Sequence, residues 1–506
     1  MSSPQILFRP RSFYEPMRQS FALGSFVALS LLVGCAKSAP GPVAPAANGS
    51  KATSDAAAIA SDGPASPNGN YFSDGDGKKS GSWIGAAPEG DLMSMSTRET
   101  FLGVWVDVPE ARPESRPPLA VSLVVDTSGS MAGAKIENAR SAASMLVRNM
   151  KDGDIVALDA FSDSARTIVP PTRLDMHTRQ EILRQIAQLV PQGSTNMFSG
   201  LTLAESQMAS MPATHGLRRV VMISDGIANI GPSSPDVLGE IAARGLRNRA
   251  QVTSLGVGND YDERTLNALS VKSSGRIYHI SEPREMPTIV GNETKLLDAT
   301  LASEAFVEVV PAPGVQVLGA DGIRADMAAD GGIRIPLGAL HAGQHREALV
   351  RVRITDPTLF DGHSRSLASV RLRFRDAAEG DLERIQEVVA RTQLTNDDAL
   401  AAKSVNSRTK AIVAIMDASK QQIQAAQRIN DGNFIDADKE LERAQMALEA
   451  QARVVTAAPE RRRLEESAKK VASTRAAARA MPSKPKAEQR DGALKLNADA
   501  MHDAGF

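Results

Sequence analysis

The chain has 506 residues, with 58 Lys and Arg residues against 59 Asp and Glu residues and a formal net charge of -1. Hydrophobic residues make up 42% of it and charged residues 23%. This composition excludes a collagen-like, wholly disordered or multi-span membrane protein, and the length predicts roughly two to four domains. Aromatic residues make up only 4%, and this scarcity together with the near-neutral charge argues against a nucleic-acid partner.

An apolar stretch at residues 21–34 follows a segment that contains Arg9, Arg11 and Arg18. The stretch is shorter than the length needed to span a bilayer and ends in a small residue, so residues 1–35 are predicted to form a secretory signal. Such a signal can be cleaved off in the ordinary way, kept as an uncleaved anchor, or processed for lipid attachment at Cys35. All three imply export.

The sequence LVGC that ends at Cys35 resembles the lipobox of bacterial lipoproteins. This resemblance implies that Cys35 becomes the acylated first residue of the mature protein, and more than one acyl chain makes attachment to a membrane durable. Ala36 does not match the aspartate that usually retains such proteins in the inner membrane, although Lys37 and Ser38 resemble a different retention signal. A lipid-anchored protein of the cell envelope is therefore expected, with the outer membrane preferred over the inner membrane.

Residues 36–98 are rich in Ala, Gly, Pro and Ser and poor in large apolar side chains. Such a segment buries too little surface to offset its ordering entropy, so it is predicted to be a disordered linker. The sequence DGDGKKS at residues 74–80 lacks the later ligands of a calcium loop and the hydroxyl residue that a phosphate loop needs after its lysine. No site is predicted in the linker.

Alternating apolar and polar residues predict a strand within residues 99–110. After a proline-rich break, apolar runs alternate with helical patterns. The strands are predicted at residues 119–125, 155–161, 219–223, 252–257 and 276–280, and the helices at 136–150, 176–189, 198–211, 235–244 and 262–271. This order predicts an α/β fold with a doubly wound, mainly parallel sheet that is covered by helices on both faces.

Oxygen-bearing side chains lie in three loops of this predicted sheet. Asp126, Ser128 and Ser130 follow its first strand, Thr195 precedes a helix, and Asp225 follows its third strand. Because ligands bind beyond the carboxyl ends of the strands in such sheets, the five side chains are expected to meet at one edge. The alternative is that Asp126 and Ser128 only cap the following helix, as Asp and Ser often do.

Residues 118–290, with this pattern, resemble the von Willebrand factor A domain and its metal-ion-dependent adhesion site. The resemblance implies that Ser128, Ser130 and Thr195 coordinate a divalent cation through their hydroxyls, while the two aspartates mostly hold its water ligands. Mg²⁺ suits short hydroxyls and retained waters, and Mn²⁺ and Ca²⁺ remain open. The implied partner is a protein that offers an Asp or Glu carboxylate to the cation.

The sequence contains no H-E-x-x-H, G-x-S-x-G or Walker motif, so no enzyme activity is expected. A hydrolase acting on envelope material would need catalytic groups that the sequence does not offer. His341 and His345 lack a nearby glutamate and are predicted to lie in a surface turn rather than in a zinc site.

Short strand patterns downstream predict a β-sandwich over residues 300–376. The patterns lie at residues 305–318, 333–337, 348–354 and 368–374. The early strand at residues 99–110 is expected to join the sandwich, which would make the A domain an insertion between parts of it. This arrangement resembles that of bacterial A-domain proteins similar to the inter-alpha-trypsin inhibitor heavy chains. A sandwich without that strand is the alternative.

The C-terminal part of the chain is predicted to be helical. A helical hairpin is expected at residues 396–456, and an apolar stripe on its second helix is expected to pack within the chain, with a partner helix as the alternative. Residues 457–506 form a basic tail, expected to be partly helical or disordered and solvated, with contact to an anionic envelope polymer as the alternative.

The function expected from the sequence is that of an exported, lipid-anchored protein that binds partner proteins through a divalent-cation-dependent adhesion site. The rival hypothesis is a scaffold for an envelope complex, in which the domain assembles through its flanks and the metal is incidental.

Overall fold

The computed structural model describes residues 82–110, 116–258, 260–280, 285–360, 362–377, 379 and 381–503. The predicted signal, the acylated Cys35 and the first part of the predicted linker lie outside these residues. Three strands open the described chain: β1 (Ile84–Pro88), β2 (Leu92–Ser94) and β3 (Glu99–Asp107). The prediction of a linker up to residue 98 is therefore wrong at its C-terminal end, because the small residues of β1 are all buried where they pair with β3.

Six strands form a central sheet. They are β4 (Leu119–Asp126), β5 (Ile155–Phe161), β6 (Ala165–Arg173), β7 (Leu217–Ser224), β8 (Ala250–Val257) and β9 (Arg276–Ile280). Their order is β6-β5-β4-β7-β8-β9, and every neighbouring pair except β5 with β6 is parallel, so the predicted mainly parallel sheet is confirmed. Strand β6 has no predicted counterpart, and its adjacent Pro170 and Pro171 are typical of an edge strand because proline cannot donate a ladder hydrogen bond.

Six helices cover the two faces of this sheet. They are α1 (Ala134–Asn149), α2 (Met176–Ala187), α3 (Met197–Ser210), α4 (Pro235–Gly245), α5 (Glu263–Lys272) and α6 (Met286–Asp298). Val121 and Leu123 of β4 share a core with α1, α2 and α6, whereas Ala120 and Val124 share one with α3, α4 and α5. Because successive side chains of a strand point to opposite faces, a strand buried on both faces is apolar throughout, as β4 is.

The remaining strands build a β-sandwich with the first three. They are β10 (Thr300–Pro311), β11 (Val315–Asp321), β12 (Asp326–Met327), β13 (Ile333–His341), β14 (His345–Ile354), β15 (Arg365–Asp376) and β16 (Leu382–Thr395). One sheet has the order β1-β3-β14-β11, the other β12-β13-β10-β15-β16-β2, and one apolar core lies between them.

Strand β3 pairs with β14 in antiparallel register, from Glu99 opposite Arg353 to Asp107 opposite His345. The central domain, β4 to α6, is therefore inserted in the chain between two strands of one sandwich. The single strand pattern at residues 305–318 is in fact two strands, β10 and β11, separated by a turn at Gly314, whose φ of 77° suits glycine.

Five helices follow the sandwich. They are α7 (Asp398–Lys403), α8 (Ser407–Asn430), α9 (Phe434–Val454), α10 (Ala458–Ala480) and α11 (Lys486–Asp503). The predicted stripe of α9, including Ala437, Leu441 and Leu448, is buried in one core with residues of α8 and α10, so neighbouring helices of the same chain cover it. Among the described helices, none combines the length and the apolar character needed to cross a membrane.

The prediction of a partly helical, solvated basic tail is wrong in part. The tail is helical over α10 and α11 and basic residues such as Arg461 and Arg462 are exposed, but others form ion pairs with distant parts of the chain. Arg463 of α10 donates to Glu347 of the sandwich at 2.6 Å, and Arg490 of α11 donates to Glu263 of the central domain at 2.6 Å. These arginines meet carboxylates that are distant in sequence, so a local excess of basic residues did not indicate their surroundings.

Candidate functional site

Asp126 and Asp225 lie side by side at the carboxyl edge of the central sheet. Asp126 ends β4 and Asp225 directly follows β7, and these two strands pair in parallel up to Val125 opposite Ile223. Both aspartates are fully buried. The Asp126 carboxylate accepts a hydrogen bond from the Ser224 hydroxyl at 2.5 Å, which fixes its orientation beside the second aspartate.

The two serines of the first loop present their hydroxyls together. The Ser128 and Ser130 Oγ atoms are 3.0 Å apart, and the backbone N–H of Ser128 donates to Asp126 Oδ1 at 2.8 Å. This turn is separate from the start of α1, whose N-cap is Gly133, and Ser128 makes no side-chain capping bond to the short helical turn that follows it. The hypothesis that Asp126 and Ser128 only cap the following helix is therefore wrong.

Backbone hydrogen bonds hold the loop of Thr195 against the serine loop. The N–H of Gly129 donates to the Gly193 carbonyl at 2.9 Å, and the N–H of Gln192 donates to the Thr127 carbonyl at 2.7 Å. Gly193 has a φ of 72°, and a side chain there would also collide with Asp163. Glycine at this position therefore permits the close approach of the two loops.

Thr195 is tied in turn to the loop that follows Asp225. Its N–H donates to the Asn229 side-chain oxygen at 2.8 Å, and its carbonyl accepts from the N–H groups of Asn229 and Ile230 at 3.0 and 3.2 Å. The three loops that carry the five predicted residues thus form one hydrogen-bonded group at one edge of the sheet.

The electrostatics of this edge are unbalanced. Burial, with a smaller contribution from the negative charge of Asp225, raises the pKa of Asp126 to about 6, although hydrogen bonds from Ser224 and Ser128 oppose the shift. Asp225 Oδ2 accepts from Lys135 Nζ at 3.1 Å, but its buried Oδ1 has no hydrogen-bond partner among the described residues. A buried carboxylate oxygen without a partner is costly, and a cation bound beside it would remove that cost.

The donor set fits a hard divalent cation. Hydroxyl and carboxylate oxygens are the ligands that Mg²⁺ accepts, together with water. Within the described ranges, no three His, Cys, Asp or Glu side chains gather as a metal site. A cation at this edge would therefore depend on the hydroxyls of Ser128, Ser130 and Thr195 in addition to the two aspartates.

Other residues support the site and were not found from the sequence. Lys135 lies in the first turn of α1, and Ser224 and Asn229 flank Asp225 in its own loop. The segment behind that loop also contacts the C-terminal helix: the N–H of Asp262 donates to the Asp225 carbonyl at 2.9 Å, and Arg490 donates to the Tyr261 carbonyl at 2.8 Å. Ser224 adjoins the motif and offered a local signal, whereas no local pattern pointed to Arg490.

The prediction that both histidines lie at the surface is wrong for His341 and right for His345. His341 ends β13 and is buried, with its Nδ1 atom 3.1 Å from the Thr300 hydroxyl. His345 begins β14, is exposed, and lies 2.8 Å from Asp107.

Known proteins share this fold. The chain has a TM-score of 0.63 with the von Willebrand factor type A protein from Catenulispora acidiphila at 16% identity, covering 82% of this chain and 96% of that chain. It has a TM-score of 0.53 with the ArnB paralog VWA2 from Sulfolobus acidocaldarius at 15% identity, covering 82% of this chain and 97% of that one. The likeness therefore extends beyond the central domain to the sandwich and helices, and at these identities it concerns the fold.

Sequence relatives match a smaller part of the chain. A family model for the von Willebrand factor type A domain matches residues 121–227. YfbK from Escherichia coli (strain K12) is 25% identical over 214 residues, which are 42% of this chain and 37% of YfbK. The inter-alpha-trypsin inhibitor heavy chain H3 from Mesocricetus auratus is 28% identical over 177 residues, 33% of this chain and 20% of that protein.

These matches and the fold show that the chain contains a von Willebrand factor type A domain, placed as an insertion in a β-sandwich. The match spans less than two fifths of the length of YfbK and a fifth of the heavy chain.

Proposed function

We propose that this protein binds partner proteins through a divalent cation held at Asp126, Ser128, Ser130, Thr195 and Asp225, and that an Asp or Glu carboxylate of the partner completes the coordination. The observation that carries the proposal is the buried Oδ1 atom of Asp225, which has no hydrogen-bond partner among the described residues and lies beside a second buried carboxylate. Domains of this type generally mediate protein–protein interactions. Binding without catalysis is part of the proposal.

The residues of the site divide the work between them. The three hydroxyls would hold the cation, and the two aspartates would orient its waters. When bound, the cation supplies a positive charge that attracts an acidic side chain. The two aspartates already interact with Ser224, Ser128 and Lys135. They would therefore neutralise only part of the charge of the cation, and the cation would keep affinity for a carboxylate of the partner.

The surroundings of the site suit a protein partner. Ile227 and Ile230, in the loop after Asp225, are 42% and 37% exposed. Apolar side chains beside a charged group are typical of protein interfaces, where a carboxylate contact is flanked by buried aliphatic surface. We further propose that Cys35 is acylated and anchors the protein in the cell envelope, with the outer membrane preferred.

Cation binding tests the site directly. Calorimetric titration of the purified protein with Mg²⁺ should show one site, and Asp126→Ala should weaken it by about 10 to 100-fold, the usual cost of losing a group that orients metal ligands. The control is Asp260→Asn, since Asp260 is a nearby exposed carboxylate whose ion pair among the described residues is the long one with Lys135 at 3.7 Å. Mg²⁺ binding that is unchanged in Asp126→Ala would refute the assignment.

Partner capture tests the function. Capture from envelope extract should be lost in EDTA and lost again with Ser128→Ala. If Ser128→Ala abolishes Mg²⁺ binding and capture persists with both treatments, the protein is a scaffold in which the metal is incidental. Sensitivity of both Mg²⁺ binding and capture to the same substitution supports the adhesion site.

A further inference from the structure

A second concave site lies at the opposite end of the central sheet. It is a cleft of about 530 Å³ between the amino ends of β7 and β8, the end of α4, and strands β10 and β13 of the sandwich. Six arginines and only three carboxylates line it. The arginines are Arg218, Arg244, Arg247, Arg249, Arg324 and Arg334. A concave surface with this excess of one charge concentrates its field inside the cleft.

The floor of the cleft contains a buried cation that no carboxylate of the described residues contacts directly. The Arg218 guanidinium, 9% exposed, donates to the backbone carbonyls of Met208, Met211 and His215 at 2.8, 3.0 and 3.1 Å. Carbonyls satisfy its N–H groups but carry no net charge. Glu304 lies close enough to act on this charge electrostatically, but it makes no ion pair with Arg218 among the described residues, whereas buried charges are normally paired.

The carboxylates of the cleft are already engaged. Glu304 contacts Arg249 and also accepts from Arg375 at 3.0 Å. Asp326 accepts from Arg324 at 3.1 Å, and Glu240 from Lys272 at 2.8 Å. Each of these three acids is thus already paired with at least one basic side chain.

Two arginines at the rim retain their donors. Arg244 and Arg247 are exposed, stand three positions apart at the end of α4, and make no hydrogen bond or ion pair with the residues that the structure describes. Arg334, across the cleft, is already engaged: it donates to Glu308 at 2.8 Å, and its guanidinium lies 4.3 Å from the centre of the Phe306 ring. Planar guanidinium forks of this kind bind oxyanions through paired N–H···O bonds.

One wall of the cleft is held in an unusual backbone conformation. Arg249, Glu304 and Asp381 have left-handed φ values of 63°, 51° and 68°, and Arg249 contacts both acids, with Asp381 at 2.9 Å. Non-glycine residues adopt this conformation at a cost, and such residues concentrate at functional sites.

The cleft is preformed because the two domains are joined tightly beside it. The Gln251 side chain accepts from the Ala339 N–H at 3.0 Å, and the Ser274 hydroxyl donates to the Pro336 carbonyl at 2.8 Å. Gly338 has no side chain where one would overlap Gln251. A rigid cleft of this volume is within the range of small-molecule sites.

We propose that this cleft binds a small soluble molecule through a phosphate-type dianion, contacted by Arg244 and Arg247 at the rim and attracted by the buried positive charge of Arg218. The excess of arginines over carboxylates favours a dianion over a monoanion. The cleft between the two domains is concave, so its shape fits a small molecule and does not fit a partner with a flat surface. The site is independent of the cation site at the other end of the sheet.

Inorganic phosphate is the probe that tests this proposal. Titration calorimetry in low salt and EDTA, which removes divalent cations, should show saturable binding with one site per chain, weaker in higher salt. The double variant Arg244→Gln, Arg247→Gln should bind phosphate at least about ten-fold more weakly, because each charge-assisted bond contributes about that factor. Acetate, a monoanion, should bind much more weakly than phosphate.

A matched control removes the same charge elsewhere. Arg148→Gln, Arg443→Gln replaces two exposed arginines outside the cleft and should leave phosphate affinity within about two-fold. Because all four arginines are exposed, melting temperatures should stay close to that of the parent chain. The proposal is overturned if the parent chain shows no saturable binding, or if the two double variants weaken phosphate binding equally. Equal affinity for acetate would overturn the assignment to a dianion.

Discussion

The two ends of the central sheet are built in opposite ways. At the carboxyl end, two buried aspartates and three hydroxyls come from loops of one domain and lie next to strands that the domain itself orders. At the amino end, arginines of the inserted domain face carboxylates and an aromatic ring of the sandwich. One end has an excess of negative charge, and the other has an excess of positive charge.

This difference teaches how each kind of site arises. The carboxyl end of a parallel sheet places loops side by side whatever the domain is attached to, so a site there belongs to the domain. The amino end becomes a cleft only because the chain leaves the sandwich at β3, folds the domain, and returns at β10. The arginine cleft is thus a property of the whole chain.

The largest expected effect comes from breaking the joint beside the cleft. Gly338→Ala adds a side chain at a φ of 74° that also overlaps Gln251, so the free energy of unfolding should fall by about 2–4 kcal/mol in chemical denaturation. Gly331→Ala is the control: its φ of 79° is equally unfavourable, but nothing lies within 4 Å of the added atom, so only about 1 kcal/mol should be lost. Mg²⁺ affinity should be unchanged in both variants. A large loss of Mg²⁺ affinity in Gly338→Ala would show that the two ends are not independent.

An intermediate effect should follow from removing a positive charge at the carboxyl end. Lys135 Nζ lies 3.1 Å from Asp225 Oδ2 and would repel a cation held by the same carboxylate. Lys135→Met should therefore raise Mg²⁺ affinity by up to about ten-fold, a change expected for partly screened unit charges. Lys135→Arg keeps the charge and should titrate like the parent chain in the same calorimetric measurement. Weaker Mg²⁺ binding in Lys135→Met would instead show that Lys135 orients Asp225.

The smallest effect concerns the boundary between the two domains. Burial lowers the pKa of His341 well below its usual value, so below the unfolded pKa of about 6.5 the unfolded chain takes up a proton that the folded chain does not. This single group should cost about 1 kcal/mol of stability at pH 6, and nothing well above pH 7. His341→Asn should remove that loss, measured as the difference between denaturation midpoints at pH 6 and pH 8.

His345 provides a control of opposite sign. Its hydrogen bond to Asp107 raises the pKa of His345, so the protonated form stabilises the fold below the unfolded pKa and this stabilisation is lost as the pH rises through the folded pKa. His345→Asn should therefore lower stability at pH 6 relative to pH 8. If both variants changed the pH dependence of stability in the same direction, the burial of His341 would not be the cause of the loss of stability at pH 6.

Much of the architecture followed from local pattern. Continuous apolar runs such as β4 predicted strands buried on both faces, and the alternation of strands with helices predicted a parallel sheet, because these patterns are short-range consequences of burial. Strand β6 and helix α6 were missed since neither offers a clear periodic signal. The basic residues of α10 and α11 were interpreted as solvated because their carboxylate partners lie far away in the sequence.

The sequence by itself determined the class of the central domain and the five candidate cation ligands, because each ligand is next to a strand whose apolar pattern is unmistakable. Only the tertiary structure decided that Lys135 contacts Asp225, that α11 supports the segment behind it, and that arginines gather in a cleft at the other end. Those features depend on which surfaces the inserted domain and the sandwich bury against each other. Packing over long sequence separations selects such contacts, and no short-range pattern records it.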